Sequence, residues 1–91
     1  MNNWILKNGG QTIDCSSFPY AFRTAFNLVR KVIEAKQDPT PVIKAISIVG
    51  PANAKGERST YSYAAATQLA QGQGLLTPDG QINSREFKRK F

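Results

Sequence analysis

Residues 16–36 read SSFPYAFRTAFNLVRKVIEAK, and the apolar side chains of this stretch recur at helical spacing. Such spacing predicts an amphipathic helix, which we place at 18–36. Ser16 or Ser17 suits its N-cap, and Pro19 suits its first turn, where the missing N–H costs nothing. The predicted buried stripe is Phe22, Ala25, Phe26, Val29, Val32 and Ile33. The opposite, polar stripe is Arg23, Asn27, Arg30, Lys31 and Glu34.

The segment before this helix predicts a β-hairpin. Two short runs, 4–7 and 11–14, flank Asn8-Gly9-Gly10. An Asn-Gly pair between two such runs is the strongest short-range hairpin signal. We therefore expect two antiparallel strands ahead of the helix.

The segment after the helix allows two interpretations. Asp38-Pro39-Thr40-Pro41 ends the helix, and five of the eight residues of 42–49 are β-branched, which favours a buried strand. Thr40 followed by Pro41 also suits an N-cap and a first helical residue. We predict a third strand over 42–49, with a short helix as the alternative.

A polar loop over 50–58 leads to a second predicted helix, from about Thr60 to Gln71. Ser59 or Thr60 suits its N-cap, and Gly72 and Gly74 suit its end. The predicted fold class is a single small α+β domain over residues 1–91. Its order is an N-terminal β-hairpin, a long amphipathic helix, a third strand, a second helix, and a C-terminal turn and short helix.

Residues 79–87, DGQINSREF, resemble the back half of an EF-hand calcium loop. With Asp79 at the fifth loop position, the first and third positions are Leu75 and Thr77. A calcium loop needs a carboxylate at its first position, and leucine has no ligand oxygen in its side chain. We therefore predict no calcium site here. Thr77-Pro78-Asp79-Gly80 instead has the composition of a tight turn.

The residues after that turn predict a short capped helix. Asn83 suits the N-cap, and Glu86 three residues later completes a capping box. Ile82 and Phe87 are spaced as a hydrophobic staple.

The residue inventory excludes several kinds of chemistry. The chain has no histidine and one cysteine, Cys15, so it forms no intramolecular disulfide and has no histidine for acid–base catalysis. Zinc, iron–sulfur and haem sites normally draw on those two residue types. We therefore predict no metal, no cofactor and no enzymatic activity. Cys15, which no base accompanies, is expected to be a small, buried or half-buried side chain.

The net charge of +6 favours acidic partners, with DNA or RNA first. The chain has no run of about 18 apolar residues, and 1–10 is too short and too polar for a signal peptide. We therefore expect a cytoplasmic protein with no membrane partner.

Two groups of residues form the predicted nucleic-acid-binding site. The first lies at the expected N-terminus of the second helix, where free N–H groups favour anions. It consists of Lys55, Arg58, Ser59 and Tyr61, with Tyr63 as a second ring for stacking. The second lies at the C-terminus, where Phe91 is a further candidate for stacking. It consists of Arg85, Lys88, Arg89 and Lys90.

Two other interpretations stay open. If 42–49 is helical, then 60–71 could be the recognition helix of a helix-turn-helix and 75–82 its wing, although 50–59 is long for that connection. Alternatively, the protein is a protein–protein module, such as a small regulator, an inhibitor or an assembly subunit. The exposed edge of the hairpin could then pair with a protein partner or with a second copy of the chain.

Overall fold

A computed structural model describes residues 3–83 and Arg85. Its elements are β1 (Trp4–Asn8), β2 (Gln11–Cys15), α1 (Phe18–Glu34), α2 (Thr40–Ala45), β3 (Ile46–Val49), β4 (Thr60–Ser62) and α3 (Tyr63–Gly72). The strands form one antiparallel sheet in the order β2-β1-β3-β4. This arrangement confirms the predicted α+β class. No helix in the described part of the chain is both long enough and apolar enough to cross a bilayer.

The predicted hairpin is present as β1 and β2. Asn8 pairs with Gln11 as the last residue pair, so the connecting turn is Gly9-Gly10 and Asn8 belongs to the strand. Gly9 has a φ of 62°, the conformation that a type II′ turn needs at its first central position. Asn8 therefore does not occupy the turn position that the sequence suggested.

One face of the sheet packs against the helices. Strand register places Ile13, Leu6, Ile48 and Tyr61 in one row across all four strands. Leu6 and Ile48 in the middle of that row are fully buried. Lys7, whose side chain alternates with that of Leu6, is exposed on the opposite face.

The first helix follows the prediction except at its end and in part of its buried stripe, where Ile33 is exposed and Phe26 and Val32 are only half-buried. Its buried residues are Phe18, Pro19, Ala21, Phe22, Ala25 and Val29. It ends at Glu34 rather than Lys36, because Lys36 takes a left-handed φ of 58°. The backbone N–H groups of Lys36 and Gln37 then donate to the carbonyls of Ile33 and Val32 at 2.9 and 3.1 Å. These bonds form a Schellman motif, which usually has glycine at the position that Lys36 occupies.

Ser17 caps this helix, which selects between the two predicted serines. Its side-chain oxygen accepts a hydrogen bond from the backbone N–H of Tyr20 at 3.4 Å. Ser17→Ala is therefore expected to lower the free energy of unfolding by about 0.5–2 kcal/mol. Urea denaturation followed by circular dichroism measures the change. Ser16→Ala is the matched control and should have almost no effect; equal losses in the two variants would contradict the assignment of the cap.

The prediction of a strand over 42–49 is wrong for its first half. Residues Thr40–Ala45 form α2, and the extended chain begins at Ile46. The carboxylate of Asp38 accepts a hydrogen bond from the N–H of Thr40 at 3.0 Å, and Pro41 lies in the first turn. The helix ends and β3 begins at Ile46, which pairs with Asn8 of β1. Val42 and Ile43 pack on the core from a helix despite their β-branched side chains.

The second predicted helix begins later than expected. Residues Thr60–Ser62 form β4, and α3 begins at Tyr63 with Ser62 as its N-cap. Ser62 accepts a hydrogen bond from the N–H of Ala65 at 3.2 Å. The N-caps predicted at Ser59 or Thr60 are wrong because this segment pairs with β3, where Val49 lies opposite Thr60. With strand β4 before α3, the chain also departs from the helix-turn-helix alternative.

The predicted turn at Thr77–Gly80 is present. The N–H of Gly80 donates to the carbonyl of Thr77 at 2.9 Å, and Gly80 has a φ of 81°. Leu76 and Ile82 form a bridge across the turn. Leu75, the position where an EF-hand would place its first carboxylate, is fully buried.

The side chain of Asn83 makes one contact that the sequence did not predict. Its side-chain amide donates to the carbonyl of Gly74 at 3.1 Å. The predicted capping box with Glu86 and staple with Phe87 lie outside the described residues.

Candidate functional site

The loop between β3 and β4 contains part of the predicted site, in a self-contained turn. The side-chain oxygen of Asn53 accepts hydrogen bonds from the N–H groups of Lys55 at 2.9 Å and Glu57 at 3.0 Å. The N–H of Asn53 donates to the carbonyl of Glu57 at 2.8 Å. Lys55 and Ser59 are exposed on this loop.

Arg58 and Tyr61 make structural contacts. Nη1 of Arg58 donates to the carbonyls of Asn3 and Gly50, both at 3.3 Å, and so ties the loop to the ends of β1 and β3. Tyr61 lies half-buried on the helix side of the sheet, with its ring 6.2 Å from that of Trp4. The helix N-terminus expected beside these residues is absent there, because β4 separates the loop from α3.

The C-terminal group is described only at Arg85, which is exposed. Lys88, Arg89 and Lys90 lie outside the described residues, as does Phe91. Arg85 follows the turn at 77–80 and the pairing of Leu76 with Ile82.

A further basic surface runs along the exposed face of α1, and we call it the α1 stripe. Its residues are Tyr20, Arg23, Asn27, Arg30, Lys31 and Glu34, all of them exposed. Their spacing places them on one side of the helix, opposite the side that contacts the sheet. The only acid in the 17 residues of α1 is Glu34, at its end. Sequence reasoning predicted this stripe to be polar but did not assign it to the site; its excess of bases over acids was the available signal.

Glu34 is paired within the stripe. Its Oε1 accepts a hydrogen bond from Nε of Arg30 at 2.9 Å, with both side chains about 60% exposed (59% and 61%). A surface pair of this kind contributes little to stability. Because the pair uses Nε of Arg30, the two Nη atoms of the same guanidinium group can still donate hydrogen bonds to an anion. Asn27, Arg30, Lys31 and Glu34 line a shallow depression of about 250 Å³.

An apolar groove of about 390 Å³ lies directly beside the stripe. It is lined by Phe26, Val29, Ile33, Tyr63, Gly80 and Gln81, and the exposed side chains of Arg30 and Glu34 form its rim. Ile33 is 55% exposed, the highest value for a large apolar side chain among the described residues. We call this feature the α1–α3 groove, since Tyr63 is the first residue of α3.

Tyr63 is held firmly in the wall of that groove. Its ring stacks on that of Phe22, with centroids 6.2 Å apart and planes 15° apart. Partial burial raises the pKa of its hydroxyl. The neutral phenol contributes aromatic surface to the lining of the groove.

Cys15 does not form part of either surface. It is buried, as predicted, and burial raises the pKa of its thiol, which disfavours the reactive thiolate. Within residues 3–83 and 85, no three His, Cys, Asp or Glu side chains lie close enough together to hold a metal ion.

Comparison with known proteins identifies no relative. No protein-family model, no curated protein and no solved structure matches this chain. A functional assignment must therefore come from the chemistry of the α1 stripe, the α1–α3 groove and the loop at 50–59.

Proposed function

We propose that this protein is a small, non-enzymatic, basic module that binds nucleic acid through Lys and Arg side chains directed at phosphates. The observation that carries the proposal is the α1 stripe. Arg23, Arg30 and Lys31 lie on one rigid helix face, and Glu34 is the only acid in that helix. Several cations on one helix face can contact neighbouring backbone phosphates together.

The charge of the rest of the chain supports the same partner. All nine bases in the described residues are exposed, namely Lys7, Arg23, Arg30, Lys31, Lys36, Lys44, Lys55, Arg58 and Arg85. Lys55 and Arg85 would add phosphate contacts, as would Lys88, Arg89 and Lys90 near the C-terminus. Arg58 would contribute mainly by holding the loop that carries Lys55, through its bonds to Asn3 and Gly50.

Nucleic-acid binding is tested by fluorescence anisotropy with labelled single-stranded DNA, single-stranded RNA and duplex DNA over a series of salt concentrations. Three phosphate contacts by Arg23, Arg30 and Lys31 predict a slope of log K against log salt of about −2 to −2.7, and any other basic residues in contact make it steeper. Repeating the measurement in glutamate salt controls for competition between the salt anion and the nucleic acid for the basic side chains.

Absence of binding to all three probes at low salt would overturn the proposal. The protein–protein alternative would then be preferred, and its signature is capture of one partner, or self-association, that salt does not weaken.

A further inference from the structure

The α1–α3 groove and the α1 stripe share two residues, Arg30 and Glu34. The apolar space therefore begins where the cationic face ends, without an intervening surface. A ligand that follows the stripe with negative groups can enter the groove with an apolar, flat group. Backbone phosphates with an attached base have this combination of properties.

The lining of the groove suits a nucleobase. Phe26 and Tyr63 supply aromatic surface, and Val29 and Ile33 supply aliphatic surface. Base stacking on aromatic side chains is tolerant of sequence, because every base has a π-face. Tyr63 is already positioned by its stacking on Phe22, so little side-chain entropy is lost when a base enters.

A duplex cannot use this groove without distortion. Its bases are stacked and paired inside the helix, and taking one out costs a few kcal/mol. In a single strand the bases are accessible from the start. The occupant that fits both the charge of the rim and the lining of the groove is therefore single-stranded nucleic acid.

We infer that the α1–α3 groove binds an unpaired base of single-stranded DNA or RNA, while the flanking phosphates contact Arg23, Arg30 and Lys31. This inference rests on the proposed function and deepens it by naming the form of nucleic acid. It assigns Phe26, Ile33 and Tyr63 as contacts of the base.

The test compares three labelled probes of equal length: oligothymidylate, an abasic strand that has the same sugars and phosphates without bases, and a DNA duplex. Oligothymidylate is expected to bind about ten-fold or more tightly than the abasic strand, since each stacked base contributes roughly 1–3 kcal/mol. Equal affinity for all three would overturn the inference and leave the proposed function standing. Binding of none would overturn the proposed function itself.

Substitutions of groove residues test whether the base binds in the α1–α3 groove. Ile33→Ser, at an exposed position that the fold does not need, should weaken oligothymidylate binding several-fold and leave abasic binding unchanged. Tyr63→Leu removes the aromatic surface but keeps an apolar side chain, and it should remove most of the preference for bases. Tyr63→Phe keeps the ring and should retain that preference. A preference for bases that survives both Ile33→Ser and Tyr63→Leu would overturn the assignment of the groove.

Discussion

Replacing Phe22 with alanine is expected to lower the free energy of unfolding by about 3–5 kcal/mol. Phe22 is completely buried, and its ring lies between those of Phe18 and Phe26, each 6.1 Å away, and that of Tyr63 at 6.2 Å. The substitution removes the ring on which these neighbours pack and leaves a cavity. A chain of this length is stable by only about 5–14 kcal/mol, so a large part of that stability would be lost.

Urea denaturation followed by circular dichroism and by the fluorescence of Trp4 measures this loss. Ile33→Ala is the control, because it shortens an apolar side chain on the same helix that is 55% exposed. Its expected effect is below about 1 kcal/mol. A loss for Phe22→Ala as small as that of the control would contradict the central role assigned to this ring.

The double substitution Arg23→Gln and Lys31→Gln is expected to weaken nucleic-acid binding about ten-fold or more at low salt. Each lost phosphate contact means that fewer condensed counterions are released on binding. The magnitude of the slope of log K against log salt should therefore decrease by about 1.4 on single strands and by about 1.8 on duplexes. Both side chains are exposed, and neither substitution removes the Arg30–Glu34 pair. Circular dichroism checks that the double variant keeps the fold of the parent.

Lys7→Gln with Lys44→Gln is the charge-matched control for that experiment. Both lysines are exposed and belong to other elements than α1, with Lys7 on the opposite face of the sheet and Lys44 in α2. If the α1 stripe is the binding surface, this control loses much less affinity than the stripe variant. Equal losses in the two double variants would show that binding depends on net charge and not on the stripe.

Elements with local signals were predicted well. The periodicity of 18–34, Pro19 in the first turn and a serine at the N-cap are all decided within a few residues, and α1 has each of them. The Gly9-Gly10 turn and the turn at Thr77–Gly80 depend on glycine conformations that composition reveals directly. The charge of the exposed stripe on α1 could also be read from the sequence.

Elements without such signals were predicted less well. Residues 60–62 formed a strand instead of a helix, because pairing with β3 outweighed their own propensities. Residues 42–45 formed a helix instead of a strand, although Val42 and Ile43 are β-branched. The end of α1 depended on a lysine in a left-handed conformation that is more typical of glycine or asparagine. Neither effect is visible within a short window of residues.

The same distinction between local and long-range information applies to the candidate site. The amino-acid sequence by itself determined an α+β protein with a basic surface and a long amphipathic helix, since charge and periodicity are properties of local residue order. Only the tertiary structure decided where an apolar space opens beside the basic face of that helix. The groove needs Phe26 and Ile33 from α1 and Tyr63 from α3, which approach each other only because both helices pack on the same face of the sheet.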